Sequence, residues 1–222
     1  LGTARIRWTG RAEGDLGLTA GAGVDDRRHA VEPGRWAWLN QVHGAGVRQV
    51  GEPGGVQGDD GDALVTAIPG VILAVFTADC APVAMASPEG VVGLAHAGWR
   101  GIEAGVLGAT ADAMRRLGAT RVEGVLGPCI RPECYEFGEH DLDRLEQQLA
   151  AQVRAWTAGG RPALDLVAAV RASLDRAGVE LVGDQGACTA CDGRWFSHRA
   201  RSDRQRQATV VVVGPPGGAT LP

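Results

Sequence analysis

What narrows the fold most is how the apolar residues are cut into short runs. Trp36–Val42, Ala63–Thr66, Val71–Ala78, Pro82–Ala86, Val91–Ala95, Val122–Leu126 and Ala208–Val213 are separated by Gly, Pro or Asp. Runs this short with little polar alternation predict strands covered on both faces, since such a strand has no solvent side to display. Gly51–Gly61 is too rich in Gly and Asp to continue a strand and is expected to be a surface loop.

Helical spacing enters between and after these runs. Gly101–Leu117 places Ile102, Val106, Leu107, Ala113, Met114 and Leu117 mostly on one side. His140–Trp156 does the same with Leu142, Leu145, Leu149, Val153 and Trp156, and Leu164–Ala177 is a third helix stopped by Gly178. Helices interspersed among strands predict a layered α/β or α+β fold. With no internal repeat and no dividing linker, residues 1–222 read as a single domain ending in a frayed tail, Gly214–Pro222.

Charge and cysteine usage limit the function classes. A net charge of -4 without a basic stripe argues against nucleic acid as partner. All 22 basic residues are Arg, which reads as biased composition rather than as a set of anion sites. No apolar run approaches the ~20 residues of a membrane span, so no membrane partner is expected. Leu1–Thr9 carries Arg5 and Arg7 with no apolar stretch behind them and does not read as a signal peptide. The five cysteines are odd in number and lack a framework spacing, so a reducing cytoplasm with free or metal-binding thiols is expected.

Three segments carry chemistry. Leu39–Gly44 is a strand-like run ending in His43 before a glycine. Phe76–Pro82 is an apolar strand ending in Asp79 and Cys80 just before a proline. Gly93–Gly101 is a strand running through His96 into a Gly-flanked turn and a helix. Two imidazoles and a thiolate on one metal would favour zinc or copper over magnesium or calcium. Three protein ligands would leave a fourth position for water or substrate, as in catalytic zinc sites. The spacings match no local metal signature, however. A hydrogen-bonded histidine or a buried thiol explains each residue singly, so spacing leaves both readings open.

Together the segments resemble the YfiH-like family, also called laccase-domain proteins or peptidoglycan editing factors. The likeness rests on Gln41-Val42-His43-Gly44, Thr77-Ala78-Asp79-Cys80 and His96-Ala97-Gly98-Trp99-Arg100-Gly101. It continues through Gly127-Pro128-Cys129-Ile130, Cys134-Tyr135-Glu136, Cys188-Thr189 and Phe196-Ser197-His198-Arg199, in family order from Trp8 to Val213. The resemblance implies a four-layer αββα sandwich and a zinc site of His43, Cys80 and His96. It further implies phosphorolysis of adenosine, inosine, guanosine and methylthioadenosine, together with adenosine deamination. Copper-dependent oxidation of phenols and removal of wrongly incorporated residues from peptidoglycan precursors are also attached to the family. The chain departs from the family near its start: Thr9–Gly17 lacks the usual Gly-Gly-x-Ser loop, and His198 stands where Tyr is common.

Within that reading Cys80, His96, Asp79 and Arg100 are the expected catalytic residues. Asp79 is either a proton carrier or the cap of the turn after it. Arg100, just before a helix, is an expected oxyanion contact. Arg199, Gln41 and Tyr135 join it as substrate-binding residues, while Trp99, Phe196 and Tyr135 could stack on a purine or form walls. The partners expected are purine nucleosides and inorganic phosphate. Cys129, Cys134, Cys188 and Cys191 could form a four-cysteine zinc ribbon, but four residues separate the first pair and Cys191 lies outside the resemblance, so this reading is set aside. A redox dithiol at Cys188 and Cys191 is set aside for want of a thioredoxin-like context. His29 and His140 sit in polar stretches and are expected to face solvent. The rivals are a cysteine amidase using Cys80 with His96, a copper oxidase, and a metal-stabilised binding module without turnover. Five histidines are few for multicopper chemistry.

Overall fold

The computed structural model describes residues 4–214, so the rest of the expected tail, 215–222, lies outside the described residues. In chain order the elements are β1 (Ala4–Trp8), α1 (Val24–Val31), β2 (Trp36–Ala37), β3 (Val47–Gln49), β4 (Ala63–Thr66), β5 (Ile72–Thr77), β6 (Ala81–Ala86) and β7 (Val92–Ala97). There follow α2 (Trp99–Glu103), α3 (Val106–Arg116), β8 (Glu123–Leu126), α4 (Glu139–Leu149), β9 (Arg154–Trp156), β10 (Pro162–Leu164), α5 (Leu166–Arg176), β11 (Glu180–Asp184), α6 (His198–Arg201) and β12 (Gln207–Val213).

Two sheets organise the molecule. One has the order β1-β12-β5-β2 and the other β11-β8-β6-β7-β4-β3, while β9 and β10 form a separate ribbon. Alternation along the central strands divides their side chains between two cores. Leu73 and Val75 of β5, Val211 and Val213 of β12, Ala84 of β6 and Leu94 of β7 meet in the seam between the sheets. The other parity of the four-stranded sheet, Ile72, Ala74, Phe76 and Val210, packs with Leu16 and with Val31 of α1. On the far side, Val83 and Met85 pack against Val106, Leu107 and Met114 of α3, Leu142 and Leu145 of α4, and Val170 and Leu174 of α5. Helix, sheet, sheet, helix is thus the expected four-layer arrangement. Each fully buried Leu or Val of these layers contributes roughly 1.5–3 kcal/mol of transfer free energy.

Three expected elements are shorter than the sequence suggests. The run Trp36–Val42 is paired only over Trp36–Ala37, after which the chain turns away and Asn40 makes an isolated bridge with Asp60. The expected helix Gly101–Leu117 breaks at Gly105, whose φ of 87° is a left-handed conformation favoured by glycine. The expected helix His140–Trp156 stops at Leu149; Trp156 belongs to β9 and its ring is exposed. There the helical spacing was a coincidence of an amphipathic helix followed by a short strand. The stretch 51–61 is a turn-rich loop as expected, and His29 and His140 are exposed. No described helix is long and apolar enough to cross a membrane.

Candidate active site

Cys80 lies where the chain passes between the sheets: β5 ends at Thr77 in one, β6 begins at Ala81 in the other, and Ala78–Cys80 spans the gap. The crossing is tight enough to hold Asp79 at φ 95°, a costly conformation for a side-chain-bearing residue. His96 shares the parity of Val92 and Leu94 on β7, which directs it toward the seam. His43 sits not at a strand end, as expected, but in the loop between β2 and β3, also at positive φ (59°).

The three side chains converge. Their ligand atoms lie within 4.8 Å of one another, with Cys80 Sγ 3.9 Å from His43 Nε2 and the two imidazole rings 4.8 Å apart edge to face. Gly98 makes this approach feasible, since a Cβ there would stand 3.0 Å from Cys80 Sγ and 3.1 Å from His43 Cδ2. Burial alone would raise the Cys80 thiol, but the facing His96 charge and the His43 hydrogen bond bring it down to about 6. Burial alone would lower His96; Cys80 and Asp62 instead raise it to about 9. The metal-free pair is thus poised as thiolate and imidazolium.

Asp62 is the residue that sequence reasoning missed. It is wholly buried; its Oδ1 meets His96 Nδ1 at 2.9 Å and accepts the His43 N–H at 2.9 Å, while Oδ2 accepts the Gly44 N–H at 2.7 Å. One carboxylate therefore orients one ligand ring and fixes the loop bearing another, and it leaves His96 Nε2 free to bind a metal. The sequence carried only a weak signal, a carboxylate directly before the apolar run Ala63–Thr66, and Asp59 and Asp60 beside it are exposed. Two imidazoles and a thiolate so placed fit a zinc ion with one open coordination position, and also fit copper.

The triad floors a cavity of about 520 Å³. Its lining includes Arg100, Arg199, Arg204 and Arg206 against a single carboxylate, Asp79. Arg100 is exposed and stacks its guanidinium 4.3 Å from the Trp99 ring centre. Arg199 stacks at 4.9 Å on Tyr135 and donates to the Glu136 carbonyl, and His198 faces the same space. Asp79 caps no following turn. Its carboxylate reaches across the sequence, accepting the Thr189 hydroxyl and the Arg199 N–H, both at 2.7 Å. Gln41 lines the cavity, yet its amide is engaged on both sides by Phe76, donating to the carbonyl and accepting the N–H at 2.8 Å. Of the aromatic residues considered, Tyr135 and Trp99 line the cavity and Phe196 is buried apart from it. Leu18 and Thr19, just past the divergent Thr9–Gly17 segment, also line it. Arg204, Arg206, Leu18 and Thr19 escaped sequence reasoning because none stands in a motif.

A family model described as multi-copper polyphenol oxidoreductase laccase matches residues 24–214. The chain belongs to this family. Members of the YfiH-like group share its fold. The solved YlmD of Geobacillus stearothermophilus superposes with a TM-score of 0.81 at 30% identity, covering 96% of this chain and 93% of its own. YfiH of Bacillus licheniformis gives 0.78 at 26% identity, covering 90% and 85%. A Streptomyces coelicolor relative named purine nucleoside phosphorylase is 41% identical over 201 residues, 87% of this chain and 81% of that one. The laccase-like chain is thus an enzyme by kinship, and of the residues on which the family resemblance rested, Gln41, His43, Asp79, Cys80, His96, Arg100, Tyr135 and Arg199 line the cavity.

The second cysteine group is not the four-cysteine ribbon that was set aside above. Cys134, Cys188 and Cys191 do come together, with Glu133, while Cys129 is buried beside Cys188 and outside the group. Sequence separation hid this because the two loops that carry them follow neighbouring parallel strands.

Proposed function

We propose that the chain is a zinc-dependent purine nucleoside phosphorylase acting on adenosine, inosine, guanosine and methylthioadenosine. One observation carries the reading: the His43–Cys80–His96 triad floors a nucleoside-sized cavity rimmed by four arginines. In phosphorolysis, phosphate attacks the anomeric carbon as the glycosidic bond breaks, giving ribose 1-phosphate and the free base. Arg100 and Arg199 would hold the attacking dianion, whose charge the lining meets with guanidinium groups and a single carboxylate. Tyr135 and Trp99 would wall the base. Asp79, tied to both Thr189 and Arg199, would position the phosphate-binding helix and could carry a proton to the leaving base. A zinc ion on the triad would supply a Lewis acid beside the reacting centre.

Adenosine deamination is a second activity of the same floor, and the partners are purine nucleosides and inorganic phosphate. A cytoplasmic setting accords with five free thiols. The test is product analysis of adenosine with zinc-loaded protein, with and without phosphate, against Cys80→Ala. Adenine and ribose 1-phosphate formed only with phosphate would establish phosphorolysis; inosine would establish deamination. Wild type no more active than Cys80→Ala would end both readings. The Cys80–His96 pair, held as thiolate and imidazolium without metal, keeps one rival alive, a cysteine amidase. That enzyme would gain activity when zinc is removed, whereas the phosphorylase would lose it.

A further inference from the structure

We propose that Cys134, Cys188 and Cys191, with Glu133 as fourth ligand, form a second zinc site, structural in role and separate from the His43–Cys80–His96 centre. The three sulfurs and a Glu133 carboxylate oxygen lie within 4.8 Å of one another, and Cys191 Sγ is 3.9 Å from Glu133 Oε1. Zinc–sulfur bonds of about 2.3 Å in a tetrahedron put neighbouring sulfurs roughly 3.8 Å apart. A contraction of under about 1 Å therefore closes the cluster on an ion.

The architecture around the sulfurs supports an ion. Cys134 ends the single turn Pro132–Cys134 that follows β8, and Cys188 and Cys191 lie on the turn that follows β11. Because β8 and β11 run parallel as neighbours, both loops leave the same end of the sheet. The Arg131 N–H points at Cys188 Sγ at 3.4 Å, a contact that stabilises sulfur carrying negative charge. The Asp192 N–H closes the C-x-x-C turn on the Cys188 carbonyl at 3.0 Å. Arg201 pins the same turn through the Thr189 and Ala190 carbonyls.

Three thiolates and a carboxylate are a soft-leaning donor set, suited to zinc rather than to magnesium or calcium. Four protein ligands leave no open position, the mark of a structural site. Its position gives it a task. Thr189, between the two turn cysteines, donates its hydroxyl to Asp79 beside Cys80, so the ion would clip together the loops that hold the cavity wall.

The experiment uses the full chain prepared under reducing conditions, with zinc as the probe for content and cobalt(II) for ligand type. Cys80→Ala has no thiolate left at the first centre. It should still bind an equivalent of zinc and, with cobalt, show sulfur-to-metal charge-transfer absorption. Cys134→Ser/Cys191→Ser, in a background otherwise native, should bind one equivalent less than wild type. Cys80→Ala without the cobalt absorption would overturn the proposal whatever the double variant does. So would a double variant with undiminished zinc, or fewer than five titratable thiols in denatured, metal-free wild type, which would mean a disulfide instead. None of these readouts depends on nucleoside turnover, so this site and the proposed activity stand or fall separately.

Discussion

Asp62 shows how much a single buried carboxylate can govern. Its two oxygens serve His96, the His43 N–H and the Gly44 N–H, so removing it orphans three donors at once. We expect Asp62→Ala to weaken zinc binding 10–100-fold, on the order measured for groups that support metal ligands, in a chelator competition assay. Unchanged affinity would mean that the rings orient themselves. Asp184 offers a pH-dependent counterpart away from the His43–Cys80–His96 triad. Burial alone would raise its carboxyl, but the Arg131 fork, at 2.5 and 2.9 Å, and the Gly186 N–H hold it below the ordinary carboxylate value. A carboxyl depressed in the folded state stabilises fully above its unfolded pKa of about 3.9 and loses that contribution as pH falls through the lower folded value. Asp184→Asn should therefore lower the urea midpoint at pH 7, and the gap from wild type should close in acid. A gap that widens as the pH falls below the ordinary carboxylate range would contradict the ion-pair account.

Among the elements, α2 begins at the most constrained point of the site. Gly98 caps it with φ -72°, a conformation open to any residue, so only the space in front of it demands glycine. Gly98→Ala should cost the metal-free chain about 1–3 kcal/mol by crowding Cys80 and His43, and zinc affinity should fall by more than that. Equal losses of both would place the strain in the helix instead. The same scale shows what could be read from the sequence. The strands β4, β5, β6, β7 and β12 announce themselves because both faces are buried and nearly every residue is apolar. β1 stayed hidden because Arg5 and Arg7 alternate with half-buried residues, both reaching for Glu32. α1 stayed hidden because Asp25, Asp26, Arg27, Arg28 and His29 leave it no apolar stripe. His43, Cys80 and His96 were legible as a candidate metal triad only through their resemblance to known motifs. Convergence of residues so far apart in sequence depends on how the sheets stack, and spacing carries no trace of that. For the same reason the grouping of Glu133 with Cys134, Cys188 and Cys191 was not legible.

At the scale of the molecule, the layers hold themselves together without a metal. The seam between the sheets is built of buried aliphatic side chains, and the two outer cores are mainly aliphatic, with Trp36 and Phe76 in one and Tyr135 in the other. We therefore expect the chelated protein to keep its far-ultraviolet circular dichroism. It should melt at a lower temperature, and zinc at about 100 times a site's dissociation constant should restore about 2.7 kcal/mol for each site it fills. Collapse of secondary structure on chelation would favour the non-catalytic, metal-stabilised module. The crossing at Ala78–Cys80 has a wider bearing. Because Cys80 is the last residue before the chain enters the second sheet, any slippage of one sheet against the other moves a ligand. Inherited lesions at Leu73 or Val211, deep in the seam and away from the cavity, would then look in a genetic screen like damage to the proposed catalytic centre itself.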